Sequence, residues 1–150
     1  MVKFAGMKTK NIVQKVITSG ALIRDNKILI VQRASDDETF AGLWELPGGK
    51  KEPLESVINS VKRELKEEVG LDIEVLTPVN VFNWSTEKRE EVRDATEIIF
   101  LVKQENAEIK ISSEHSDFKW ITEAEIENFN ISKETTESIK KAFQHNKNDH

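Results

Sequence analysis

The chain has 150 residues, of which 33% are charged and 37% are hydrophobic, and its net charge is −5. This length fits one domain spanning 1–150, and no apolar run approaches the ~20 residues that a membrane-spanning helix needs. The lack of cysteine excludes disulfides and thiolate metal sites. Without a long basic block, a nucleic-acid partner is not expected. We expect a cytoplasmic domain with flexible ends at 1–12 and 146–150.

Two segments rich in Val, Ile and Leu near the N-terminus predict a β-hairpin. They cover residues 16–23 and 28–32 and are separated by the polar turn 25–27. The next predicted elements are a polar loop at 35–41 and a short strand at 44–46, which ends at Pro47-Gly48-Gly49.

The spacing of apolar residues predicts an amphipathic helix over 54–69. Gly70 follows where a left-handed C-terminal cap is expected. The apolar positions recur one, three and four residues apart, at Val57, Ile58, Val61, Leu65 and Val69.

The C-terminal half alternates between strand and helix patterns. Thr122, with Glu125 as its capping-box partner, predicts a helix over 123–129, and Ser132 predicts a last helix to about 145. Interleaved strands and helices favour an α/β fold, a sandwich with a mixed central sheet. The predicted strands are 73–76, 79–84 and 97–103, with shorter candidates at 109–111 and 118–121.

Three glutamates share one side of the predicted helix, because a helix turns by about 100° per residue. They are Glu64, Glu67 and Glu68, and Glu68 lies within roughly 40° of the apolar positions Val57 and Val61. Like charges crowded beside a core repel each other and lose hydration, so a bound cation is the best explanation for them. A purely carboxylate set suits Mg²⁺ or Mn²⁺.

The residues around this cluster fit the same interpretation. Glycine permits a close approach, so the turn at Gly48 and Gly49 could bring a backbone carbonyl to the cation. Arg63 could pair with Glu67 or with Glu55 and orient the cluster.

This segment resembles the signature of the Nudix family. A weaker resemblance to MutT-type members runs from Val16 to Phe129 and includes Arg33, the run 44–49, and Glu114 six residues before Trp120. The signature residues are present without departure: Gly49, Glu55, Arg63-Glu64-Leu65, Glu67-Glu68 and Gly70-Leu71.

The resemblance implies an α/β/α sandwich with a loop–helix–loop catalytic motif and Mg²⁺-dependent attack of water on a diphosphate. It implies that Glu55 and Arg63 position the loop and helix, and that Glu67 or Glu114 is the general base. The implied metal ligands are Glu64, Glu67, Glu68 and Glu114, with the carbonyl oxygen of Gly48.

The sequence is compatible with several substrate classes. A nucleoside triphosphate cleaved to a monophosphate and pyrophosphate is favoured; ADP-ribose, another nucleotide sugar or a dinucleoside polyphosphate are alternatives, as is a non-catalytic nucleotide-sensing module. Arg33 is a candidate phosphate contact, and Phe82 and Trp84 are candidate stacking residues. Nothing in the sequence excludes a homodimer. His115 is expected to be an exposed loop histidine.

Overall fold

The computed structural model describes residues 11–34 and 40–148, and in this part of the chain seven strands form one mixed sheet. One α-helix packs on each face of the sheet. A 3-10 helix, Glu123–Asn128, precedes the second α-helix. The elements are β1 (Asn11–Arg24), β2 (Lys27–Arg33), β3 (Trp44–Glu45), β4 (Gly48–Lys50), α1 (Val57–Val69), β5 (Glu74–Lys88), β6 (Glu91–Lys103), β7 (His115–Ile121) and α2 (Lys133–Asn148).

The strand order is β3-β2-β1-β6-β5, with β4 also paired to β1 and β7 to β2. Strands β1 and β6 run parallel, from Asn11 opposite Glu91 to Leu22 opposite Val102. The other pairs are antiparallel. The predicted α/β class with a mixed central sheet is therefore confirmed.

The core has two layers, one on each face of the sheet. Alternate residues of β2 point to opposite faces, which explains why its apolar run is continuous. Ile28 and Ile30 pack on the α2 side, with Ile139 and Phe143. The layer on the α1 side contains Leu22, Leu29, Val31, Val61, Leu65, Val69, Phe100 and Val102.

Trp44 and Trp120 both pack against the core. Trp44 is buried and meets Phe129 edge-to-face, with 5.4 Å between ring centroids. Trp120 is partly buried on the α1 side, and the guanidinium of Arg24 lies 5.0 Å from its ring centroid.

The predicted N-terminal hairpin is confirmed, and its turn is tight. Arg24 pairs with Lys27, so Asp25 and Asn26 form the turn with φ of 49° and 63°. Short polar residues of this kind tolerate the left-handed region better than most side chains.

Helix α1 begins later than predicted, at Val57 instead of Leu54. The Ser56 side chain accepts a hydrogen bond from the backbone N–H of Asn59 at 3.0 Å and caps the helix. Leu54 has a φ of 66°, which no helical residue adopts. The predicted C-terminal cap is confirmed, because Gly70 has a φ of 71°.

Several predicted strands differ from the structure. Residues 74–76 and 79–84 of two predicted strands belong to one strand, β5, whose pairing shifts around Pro78, a residue without an N–H to donate. Strand β6 begins at Glu91 and not at the predicted residue 97. The sequence pattern missed the first half of this strand because that half is polar. The predicted strand 109–111 is wrong: Lys110 donates its N–H to Val69 at the end of α1 and pairs with no strand.

The boundaries of the other elements also differ from the predicted ones. Strand β7 begins at His115, and the predicted helix 123–129 is a 3-10 helix in which the Glu125 carboxylate accepts the Thr122 N–H at 2.9 Å. Strand β1 and helix α2 extend two and three residues into the segments predicted to be flexible. The rest of those segments, and 35–39 of the polar loop, lie outside the described residues. In the described part of the chain no helix is long and apolar enough to cross a membrane.

Candidate active site

Arg63 ties the loop before α1 to the acidic face of the helix. Its Nε and one terminal nitrogen bind the two oxygens of Glu55 at 2.8 and 3.0 Å. The other terminal nitrogen lies 2.9 Å from Glu64 and 3.2 Å from Glu67, and the guanidinium also donates to the carbonyl of Lys50. The hydrogen bonds from Arg63 lower the pKa of Glu55 to about 2. Arg63 therefore pairs with both of the glutamates named as alternatives from the sequence.

Gly48 and the motif glycine Gly49 make close contacts with neighbouring atoms. A Cβ at Gly49 would lie 2.3 Å from a carboxylate oxygen of Glu64, and one at Gly48 would lie 2.2 Å from the carbonyl of Thr18. A side chain at Gly48 would clash with the backbone of β1, and one at Gly49 would displace the Glu64 carboxyl. Strand β4 therefore lies directly against the Glu64 carboxyl, and burial there raises the pKa of Glu64 despite the nearby Arg63.

Glu68 is held by a loop from the other end of the chain. Its carboxylate lies 2.7 Å from Nδ1 of His115 and accepts the Ser112 hydroxyl at 3.1 Å. The backbone N–H of Ser112 donates to the Glu68 carbonyl at 2.9 Å. Burial alone would raise the pKa of Glu68, but the charge of His115 and the contacts with Glu114 and Ser112 lower it.

Glu114 lies on this loop and its carboxyl is hydrogen-bonded to that of Glu68, which raises the pKa of Glu114. The carbonyl of Glu114 accepts the N–H of Ala34, so the loop is also fixed to the end of β2. Asp117, the next carboxylate along the chain, accepts the Phe118 N–H at 2.8 Å in the exposed part of β7. The structure thus brings Glu114, and not Asp117, to the acidic face of α1.

The three helix glutamates have different surroundings. Glu64 and Glu68 are each only 6% exposed, as expected beside the apolar face, whereas the side chain of Glu67 is 57% exposed and points to Arg63. Within 11–34 and 40–148, no three ligating side chains already form a metal-binding group.

The donor chemistry nevertheless fits a divalent cation. Glu68 and Glu114, from two different elements, lie close enough that each shifts the pKa of the other. Two carboxyls this close repel each other when both are ionised, and His115 supplies one positive charge beside Glu68. With Glu64 beside them, the available ligands are oxygens, which Mg²⁺ and Mn²⁺ prefer.

A cleft of about 630 Å³ opens beside β4. Arg33, the last residue of β2, lines it, and its Nε lies 3.1 Å from a carboxylate oxygen of Glu45. Phe82 and Trp84, on β5, also line it. The Trp84 ring meets Phe40 edge-to-face at 5.8 Å. The structure therefore places all three predicted substrate contacts in one cleft.

One end of the cleft is rich in cations. Lys15, Lys50, Lys88 and Arg93 all line it, and they come from four different strands. Burial and the neighbouring charges of Arg93, Lys50 and Lys88 lower the pKa of Lys15. A bound anion would relieve this repulsion.

Two ionisable groups at the site were missed from the sequence. His115 is buried, with 4% of its side chain exposed, between Glu68 and Glu45, so the expectation of an exposed loop histidine is wrong. Burial alone would lower its pKa, but the two carboxylates raise it to about 9. Glu97 lies in the cleft, where burial raises its pKa to about 7. The only sequence signal for Glu97 was an acidic residue at the start of an otherwise apolar run.

Comparison with known proteins agrees with this geometry. A family model described as the NUDIX domain matches residues 14–143. The nucleoside triphosphatase NudI of Escherichia coli is 25% identical over 135 residues, which cover 85% of this chain and 95% of the relative.

Two solved structures have the same fold and similar identity. A MutT protein from Methanosarcina mazei Go1 is 25% identical with a TM-score of 0.73, and the match covers 94% of this chain and 99% of the other. An ADP-ribose pyrophosphatase from Streptococcus suis is 26% identical with a TM-score of 0.70, covering 91% and 94%.

These relatives act on small nucleotides, and Nudix proteins generally use a divalent metal ion such as Mg²⁺. The activity of this chain is accordingly of the nucleoside triphosphatase or ADP-ribose pyrophosphatase type. Because the family model spans most of its residues, this protein belongs to the Nudix family and is a MutT-like pyrophosphohydrolase.

Proposed function

We propose that this enzyme hydrolyses a nucleoside triphosphate to a monophosphate and pyrophosphate, with Mg²⁺ or Mn²⁺, in the cytoplasm. The observation that carries the proposal is the pairing of Glu68 with Glu114, together with Glu64 against Gly49, which lines a cleft that has aromatic residues and one cationic end. The cleft volume of about 630 Å³ lies within the usual range for one small ligand.

The cationic end of the cleft favours a triphosphate. A triphosphate carries more negative charge than the diphosphate bridge of ADP-ribose. Lys50 immediately follows Gly49, so one of these cations lies next to the acidic site. We assign Arg33 to a phosphate contact, since its guanidinium can bind two phosphate oxygens at once.

We assign the metal-holding role to Glu64, Glu67, Glu68 and Glu114, with the Gly48 carbonyl. When bound, the metal would neutralise developing charge on the phosphates and lower the pKa of the attacking water. Arg63 and Glu55 hold the loop and α1 together, as their paired hydrogen bonds support.

Glu114 is the better candidate for the general base. It is hydrogen-bonded to Glu68, whereas Glu67 contacts Arg63 and is largely exposed. A base must lie within hydrogen-bond reach of the water it activates, and a carboxyl on a loop over the helix can do so. Phe82 and Trp84 would stack on the base or the ribose.

A nucleotide panel tests the proposal. The purified chain is incubated with ribo- and deoxyribonucleoside triphosphates, ADP-ribose, nucleotide sugars and a dinucleoside polyphosphate, with Mg²⁺, with Mn²⁺ and with a chelator. We expect monophosphate and pyrophosphate from at least one triphosphate, only with metal, and a kcat/KM at least about tenfold above that for ADP-ribose. A preference for ADP-ribose or for the dinucleoside compound, or turnover in the chelator, would contradict it.

Arg33→Ala separates binding from chemistry in the same assay. The change should raise KM about tenfold and lower kcat less, and Arg33→Lys should recover only part of the loss because the planar fork is missing. An unchanged KM would remove Arg33 from the phosphate site.

A further inference from the structure

The carboxyl group of Glu97 is fixed in the cleft by two donors on other strands. The indole N–H of Trp84, on β5, donates to Oε1 at 3.2 Å. The hydroxyl of Ser19, on β1, donates to Oε2 at 3.4 Å. Each oxygen therefore has one partner and keeps a second lone pair, and rotation of the group would break both contacts.

Glu97 is surrounded by surfaces that suit a flat ring. Phe82 lies directly opposite it on β5, and Trp84 follows two residues later. Phe40 approaches the Trp84 ring, and Arg33 lies 5.8 Å from the Phe40 ring centroid. A carboxyl group among aromatic rings offers stacking and an edge contact together, which is what a nucleobase requires.

We propose that Glu97 determines base specificity by accepting hydrogen bonds from the base edge, and that the preferred base has a ring N–H beside an exocyclic amino group, as guanine has. This inference rests on the proposed nucleotide substrate and deepens it.

The geometry of the carboxylate supports this choice. Its two oxygens present parallel acceptors, and guanine presents two parallel N–H donors on its Watson–Crick edge. Such a paired, charge-assisted contact is stronger than a neutral one. Adenine and cytosine present a ring nitrogen acceptor beside the amino group, and this acceptor would face a lone pair of the carboxylate.

Protonation modulates this selectivity. Burial raises the pKa of Glu97 to about 7, the nearby charge of Glu45 adds to this, and Arg33 opposes it. Above this pH the group offers two acceptors, so the preference for guanine should grow as the pH rises. The charged groups lining the cleft around Glu97 are Lys15 on β1, Arg33 on β2, Glu45 on β3, Lys50 on β4, Lys88 on β5, Arg93 on β6 and Glu134 on α2.

Binding of nucleoside monophosphates tests the inference without any hydrolysis. Titration calorimetry at pH 8 compares GMP, IMP and AMP on the wild type, Glu97→Gln and Asp94→Asn. IMP retains the ring N–H of guanine but lacks the amino group. Asp94 is the matched control, because it lies on β6 three residues away and its side chain points to the opposite face of the sheet.

We expect GMP to bind the wild type at least about tenfold more tightly than IMP or AMP. Glu97→Gln should reduce this ratio to less than threefold and improve AMP binding, because a glutamine amide offers one donor and one acceptor. Asp94→Asn should keep the wild-type ratio. A merely structural role for Glu97 would weaken the three ligands equally.

Three outcomes would overturn the inference: no preference for GMP in the wild type, a preference that survives Glu97→Gln, or no binding of GMP at millimolar concentration. Selective GMP binding without Mg²⁺-dependent hydrolysis of GTP would instead contradict the proposed function and leave the inference intact. Conversely, triphosphate hydrolysis with a base selectivity that does not depend on Glu97 would agree with the proposed function and reject the inference.

Discussion

The two α-helices pack on opposite faces of one sheet, yet they bury different kinds of polar group. The buried face of α1 includes the carboxyls of Glu64 and Glu68. The buried polar groups of α2 are hydroxyls. One of them, on Ser138, donates to the Glu134 carbonyl at 2.8 Å and contacts the Asn80 amide at 2.8 Å.

This difference in buried polar groups indicates which helix contributes to the reaction and which contributes to stability. Burying an ionisable carboxyl is costly unless it is paired, and both carboxyls of α1 need Arg63 or His115 as partners. A neutral hydroxyl with two hydrogen bonds carries no such cost. We conclude that α1 retains its acidic groups for a reaction, whereas α2 serves packing, and substitutions in the two helices should therefore affect different measurements.

The largest effect is expected from Glu68→Gln, which should lower kcat by at least about 10² with the fold retained. The change removes one of the two carboxylate partners of His115, which keeps Glu45, so the melting temperature should fall without loss of the fold. Steady-state turnover at saturating Mg²⁺ and a thermal melt measure the two effects. Glu74→Gln, at an exposed position at the start of β5, is the control. Near-normal turnover of Glu68→Gln would reject the assignment of the site to α1.

Glu114→Gln should lower kcat by about 10- to 10³-fold, the range for a general base or one metal ligand. Asp117→Asn should change it far less, because that carboxylate only accepts a backbone N–H within β7. If Glu114 is the base, the acidic limb of the pH–rate profile should shift or disappear; if it is only a ligand, the Mg²⁺ requirement should rise. The assignment fails if Asp117→Asn proves the more damaging change.

The opposite pattern is expected in α2. Ile139 is fully buried in the α2-side core, so Ile139→Ala should destabilise the protein by about 2–5 kcal/mol. Its kcat, measured well below the melting temperature, should stay within about twofold of the wild type. Lys140→Ala, at the next and exposed position, controls for helix propensity. A large loss of kcat in folded Ile139→Ala would mean that α2 also shapes the chemistry.

The smallest effect is expected at Leu54, in the loop before α1. Leu54 is fully exposed and has a φ of 66°, a region that disfavours residues with a Cβ. Leu54→Gly should raise the free energy of unfolding by about 0.5–1 kcal/mol and leave kcat unchanged. Leu54→Ala retains the Cβ and should not raise the free energy of unfolding. Equal melting temperatures for these two variants would show that the backbone at Leu54 is not strained. Urea denaturation gives the comparison.

The sequence was sufficient to predict those features whose determining contacts join residues close together in the chain. The apolar spacing of α1, its glycine cap and its glutamates lie within 22 residues of Gly49, and helix geometry alone relates them. The pairing of Arg63 with Glu55 and the burial of Glu64 and Glu68 could be anticipated for the same reason. The boundaries of β5 and β6 could not, because their polar halves are held in the sheet by pairing with each other and with β1.

The amino-acid sequence by itself determined the family, the mixed α/β architecture and the acidic motif, because each depends on residue types at short, regular spacing. Only the tertiary structure decided that Glu114 meets Glu68, that His115 is buried between two carboxylates, and that Glu97 lies among Trp84, Ser19 and Phe82. These groups come from segments tens of residues apart. Strand register and the path of the 112–115 loop set their distances, and their pKa values follow from burial that no local pattern encodes.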